Sequence, residues 1–222
     1  MPPDPSLAAP PAPAPAGTPS APQAAPRPGP FGLSAEATGV ALALLAPLLW
    51  STSGMFVKLL PLEALPLAGL RALIAGLVLA PFIRPGRIAW GGALLAVLAA
   101  YTVSVYCFVS AVKLTTVANA IALVSTAPAW VMLLTWLAAR RIRWLQLLPV
   151  AAILAGIAFV LAEPASGGSA RGNLLALGGG IGFGLFTFLL PRVDRASPGL
   201  IGLCNLAAAA ALFLASPGAF RV

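Results

Sequence analysis

The sequence predicts an all-α polytopic membrane protein, and three observations carry that expectation. Of its 222 residues, 60% are hydrophobic and only 8% are charged, with a mean hydropathy of +0.98. A soluble domain carries about 25% charged residues, so this chain lacks the polar groups to cover its own surface. Seven apolar stretches follow one another, each close to the ~20 residues that cross ~30 Å of hydrocarbon. The basic residues sit in short clusters between those stretches, where topology determinants sit.

Residues 1–37 come first and read differently. "MPPDPSLAAPPAPAPAGTPSAPQAAPRPGP" holds twelve of the chain's 23 prolines, with no aromatic residue and no periodicity. Such a segment buries too little apolar area to offset ordering, and it reads as a disordered cytoplasmic tail leaning to polyproline II. It has neither the basic start nor the apolar stretch of a signal peptide. The spans are then placed at 39–60, 66–83, 91–112, 117–138, 144–162, 172–190 and 198–216. Their short links make consecutive helices antiparallel neighbours.

Arg84 and Arg87 follow span two, Arg140, Arg141 and Arg143 follow span four, and Arg192 and Arg195 follow span six. With Arg27, these lie on one side. Lys58, Lys113, Arg171 and Arg221 lie on the other. The positive-inside rule puts the N-terminus in the cytoplasm and, after seven spans, the C-terminus outside.

Composition also excludes. The formal charge of +8 is not gathered into a patch, so nucleic acid is not an expected partner. There is no histidine, which removes imidazole bases, histidine metal ligands and serine–histidine pairs. Asp4, Glu36, Glu63, Glu163 and Asp194 are the only acids, and none falls centrally in an apolar run. No enzyme site, metal site or cofactor is expected. Cys107 and Cys204 stand alone in apolar surroundings and read as small buried hydrophobes.

The chain also matches itself. "LAPLLWSTSGMFVKLLP" (45–61) overlays "LALGGGIGFGLFTFLLP" (175–191) at an offset of 130, with seven of seventeen positions identical. That offset spans five helices, an odd number, so the second copy would enter the membrane inverted. Inverted-topology repeats are typical of secondary transporters, with the substrate site between the halves. The second copy holds only two helices here.

"LLWSTSGMFVK" in span one and "PLAGLRALIAGLVL" in span two add a family likeness, and so does "YTVSVYCFVSAVKLTTVANAIALVSTAPAWVMLL" across spans three and four. Over about residues 39–216, the chain resembles the EamA family of the drug/metabolite transporter superfamily. The resemblance implies an inverted five-helix-repeat fold of ten helices, here C-terminally truncated. A first repeat at 38–163 would be complete, with a partial second at 172–222. It implies export of small metabolites or drug-like solutes by alternating access, with a small-molecule solute and the lipid bilayer as partners. The alternative is a truncated or degenerate membrane protein without transport activity, at most a scaffold or subunit. A homo-oligomer, or helices from another chain, would complete the wall. The excess of Arg, Ala, Gly and Pro fits a GC-rich bacterial source, hence an inner-membrane location.

Polar residues inside the spans are the candidate cavity lining. Span one offers Trp50, Ser51 and Ser53, and span three offers Tyr101 and Ser104 on a face shared with Phe108. In span four, Asn119, Thr126 and Trp130 fall at i, i+7 and i+11, on one helical face. Pro128 removes a backbone hydrogen bond and bends that helix. Neutral donors, acceptors and rings suit a site for modest, partly apolar solutes. The alternative for Asn119 and the hydroxyls is that they join helices, at ~0.6–2 kcal/mol per contact. Arg71 lies inside span two, where a charge costs roughly 2.5–3.5 kcal/mol on insertion scales. It either snorkels outward, towards Glu63, or lines the cavity for anionic groups. The glycines of span six, Gly178 to Gly184, read as a close-packing surface and not as a nucleotide loop, since no lysine follows them.

Overall fold

The computed structural model describes residues 34–140, 147–162, 169–193 and 197–216. The expectations placed on the proline-rich tail, Arg141, Arg143, Glu163, Asp194, Arg195 and Arg221 lie outside the described residues. Every described α-helix matches an expected span. They are α1 (Ala35–Leu59), α2 (Ala64–Leu79), α3 (Gly92–Leu114), α4 (Val117–Val124), α5 (Ala127–Ala139), α6 (Leu147–Ala162), α7 (Ala170–Leu189) and α8 (Pro198–Leu214). Four helical stretches are long and apolar enough to cross a membrane: Ala64–Phe82, Gly92–Leu114, Val117–Ala139 and Ala170–Arg192. The protein is an all-α polytopic membrane protein.

Residues up to Leu48 and residues from Leu49 onward form two separate compact units, each described by itself. In the first, the Ser34 hydroxyl accepts the Ala37 backbone N–H at 3.2 Å and starts α1. The second holds the core and everything that follows.

Span four differs from the continuous bent helix expected of it. It breaks at Ser125 and Thr126 into α4 and α5. Pro128 has no N–H to give to the Val124 carbonyl, and its ring crowds that same carbonyl. The chain tightens instead, with the Thr126 N–H bonded to the Leu123 carbonyl at 3.3 Å. The entry to α4 is fixed by Thr116, whose hydroxyl accepts the Asn119 N–H at 3.1 Å. Ser169 and Ser197 cap α7 and α8 in the same way.

The membrane-end turns are tied together by side chains. Lys113 Nζ donates to the Leu60 carbonyl at 2.6 Å, joining the ends of α3 and α1. Ser169 Oγ donates to the Leu114 carbonyl at 2.9 Å and joins α7 to α3. Both satisfy carbonyls that a helix end leaves open.

Helix α7 packs between α3 on one side and the α4–α5 break on the other. Its glycines divide between the two. A Cβ on Gly182 would lie 3.2 Å from the Ala100 carbonyl and the Ser104 nitrogen of α3. A Cβ on Gly180 would lie 2.9 Å from the Leu123 carbonyl, at the break. Backbone meets backbone on both sides, which only small residues allow.

The second main pair is α2 with α8. Gly69 faces Phe213, Gly76 faces Leu206, Gly202 faces Leu79, and Gly199 faces Phe82 and Ile83. One sequence climbs as the other falls, so the two helices run antiparallel. Ala72 is buried with Ala208 and Ala209 between them.

Gly180→Ala should therefore destabilise the protein by roughly 1–3 kcal/mol, the usual cost of overpacking. Gly156→Ala, where an added Cβ meets nothing within 4 Å, should leave stability unchanged or slightly raised. Denaturant titration of both variants in mild detergent, followed by tryptophan fluorescence, checks the difference. Equal midpoints would mean that α7 does not need its close approach.

Candidate functional site

Helices α2, α3 and α8 enclose a cavity of about 340 Å³, with Val124 of α4 and Phe183 of α7 completing its lining. The volume falls at the small end of the range for small-molecule sites. Most of the wall is aliphatic or aromatic. Four polar side chains interrupt it: Arg71 from α2, Tyr101 and Ser104 from α3, and Asn205 from α8.

Each is held by the packing around it. Ser104 is buried and donates to the Gly179 carbonyl at 3.0 Å, an α3–α7 bond that only a glycine-lined approach permits. Tyr101 leans on Phe186, with ring centroids 5.2 Å apart and an interplanar angle of 57°. Its hydroxyl end interacts with the Asn205 side chain. Asn205 is buried, and its amide donates to the Ile201 carbonyl, one turn earlier, at 2.9 Å.

Arg71 turns inward. Its guanidinium carbon sits 5.7 Å from the centroid of the Phe108 ring, within the range of a cation–π contact. Glu63, the outward partner considered for it, lines a different cavity of about 820 Å³ with Lys113 and Arg171. Ser110 also lines that second cavity, and its buried hydroxyl has no partner among the described residues.

Of the eight residues expected to line a cavity, Arg71, Tyr101 and Ser104 come together here. Trp50 and Ser51 lie on α1, and their side chains are outside the described set. Ser53 is half-buried on α1 and is not part of this wall. Asn119 is half-buried in the first turn of α4, where its backbone N–H is held by Thr116. Thr126 is buried in the break, donating to the Leu123 carbonyl at 2.7 Å and accepting from the Trp130 indole at 3.1 Å. It lines a separate, mainly apolar cavity of about 360 Å³ with Ser125. The face that would join Asn119 to Thr126 and Trp130 assumes one unbroken helix, and the break changes its phase.

Two lining residues were not among those expected. Asn205 is the one amide in span seven, and that isolation in an apolar run was its signal. Phe183 carries no signal, because a phenylalanine among glycines reads equally as lipid-facing.

A model of the EamA-like transporter family matches residues 37–162, more than half of the chain and the stretch from α1 to the end of α6. No curated protein and no solved structure matches the chain.

In a background without Cys107 and Cys204, single cysteines at Ala75 and Asn205 should react in membranes with a small water-soluble thiol reagent. A cysteine at Val109, buried away from the cavity, and one at Ile74, on the outer face of α2, should react several-fold more slowly. Equal rates at all four would mean that water does not enter this space.

Proposed function

The chain belongs to the EamA-like transporter family, and from that premise we propose that it carries small solutes across the bilayer by alternating access. The solute binds in the 340 Å³ cavity between α2, α3 and α8. Arg71, Tyr101, Ser104 and Asn205 are its polar contacts, and Phe108 and Phe183 pack on its apolar body. We place the N-terminus in the cytoplasm of a bacterial cell, from the basic links, and take export as the direction.

One observation carries this reading: a shift of 130 residues interchanges contacts between α2 and α8 around the cavity. The offset of 130 that relates residues 45–61 to 175–191 also carries α2 onto α8. Applied to the contacts, it turns Gly69 against Phe213 into Gly199 against Ile83, and both contacts exist. It turns Leu79 against Gly202 into Ala209 against Ala72, which are buried together. Gly76 and Leu206, which touch, exchange with each other. The lining follows the same rule, since Arg71 exchanges with Ile201 and Ala75 with Asn205, and all four line the cavity. Two antiparallel helices whose contacts interchange in this way, with a cavity between them, support reading the chain as an inverted repeat, in which the solute site lies at the interface of the halves.

Proteoliposomes holding the purified full chain test the reading with labelled benzoate, phenylalanine and tyramine, an anion, a zwitterion and a cation. At least one should cross saturably and faster than in protein-free liposomes. Ala75→Trp, which fills the cavity, should abolish that flux, whereas Leu77→Trp on the exposed face should preserve it. Protein-free rates for all three probes, or undiminished flux through Ala75→Trp, would overturn the proposal.

A further inference from the structure

We infer that the cavity selects small organic monoanions with an apolar body, and that it discriminates against zwitterions of the same shape; this rests on the proposed solute site. Arg71 is the cation in the wall, and among the described residues no carboxylate lines the cavity with it. The neighbours of the guanidinium decide what it lacks. They are the Phe108 ring and the Tyr101 side chain, and among the described residues it donates no hydrogen bond. A guanidinium has five N–H donors in a planar fork that matches a carboxylate bidentately. In a wall this apolar, leaving those donors unmet is costly. An entering carboxylate meets them and neutralises the charge in one step.

The rest of the lining fits the remainder of such a solute. Phe183, Val105 and Ile201 offer a surface for an aromatic or branched body. Tyr101 and Asn205 lie with Arg71 on the wall and can serve a second oxygen of the same group. An ammonium on that body gains nothing here. It would have to shed its water beside a fixed positive charge, with an amide oxygen and hydroxyls as its only acceptors. Desolvating an unpaired ammonium costs several kcal/mol, so the amino acid should lose to the acid that lacks its amine.

Three probes share one body: 3-phenylpropionate, its neutral amide 3-phenylpropanamide, and phenylalanine. Binding to the full chain in lipid nanodiscs is measured by titration calorimetry. The acid should bind at least about tenfold more tightly than either analogue. Arg71→Gln should remove that preference, bringing the affinity of the acid down to or below that of the amide. Arg71→Lys, which keeps the charge and loses the planar fork, should retain part of it. Thermal melts of the variants confirm that they are folded.

Phenylalanine or the amide binding as well as the acid would overturn the inference, and so would an acid preference that survives Arg71→Gln. Binding by none of the three would overturn it together with the solute site. Selective binding of the acid without flux in proteoliposomes would keep the inference and remove the permease reading, so the two fail separately.

Discussion

The backbone approach of α7 to its neighbours is the constraint on which the rest of this structure depends. Five glycines between positions 178 and 184 strip one helix of most of its side chains over two turns. Helix α3 closes on Gly182 and the α4–α5 break closes on Gly180, so α7 becomes a spacer of nearly bare backbone between them. In hydrocarbon, apolar side chains gain little by meeting each other rather than lipid. Close packing and interhelical hydrogen bonds must then do the joining. The bond from Ser104 to the Gly179 carbonyl is the local form of that rule. It also turns the face of α3 that carries Tyr101 and Phe108 towards α2 and α8, where the cavity forms.

The same physics explains what could be read from the sequence. Spans follow from apolar length, because the bilayer imposes one thickness on every crossing; all seven expected stretches correspond to helices. Pro128 marked the weak point of span four through its missing N–H. The sequence did not reveal that the helix would part at Ser125 and Thr126, since a proline bend and a proline break begin with the same lost bond. That difference moved Thr126 into a separate cavity and its hydroxyl into bonds within its own segment. Arg71, Tyr101 and Ser104 were legible as polar groups at odds with their spans, and the fold brought them together. Asn205 stood out equally, as the one amide in the apolar run of span seven. Phe183 was beyond reach, because which face of a glycine-rich helix meets a cavity is decided by its neighbours.

The polar groups of the cavity do not pair with their like. Under a shift of 130 residues Arg71 corresponds to Ile201 and Ala75 to Asn205, so each polar group has an apolar counterpart. A symmetric lining would present two cations to each other or two amides, and either would cost desolvation without a partner. The lining present here avoids this and leaves one positive end and one neutral end.

The helix contacts of this structure are of two kinds. The α7 approaches are backbone to backbone and carry few interlocking side chains. The α2–α8 approaches set Gly69 and Gly76 against the side chains of Phe213 and Leu206, and Gly199 against the backbone of Phe82 and Ile83. Directional bonds hold both the membrane-end turns, where Lys113 donates to the Leu60 carbonyl and Ser169 to that of Leu114, and the α3–α7 approach itself, where Ser104 donates to the Gly179 carbonyl. Ser104 also lines the cavity, so the α3–α7 approach that shapes this wall is held by a directional bond as well as by close packing.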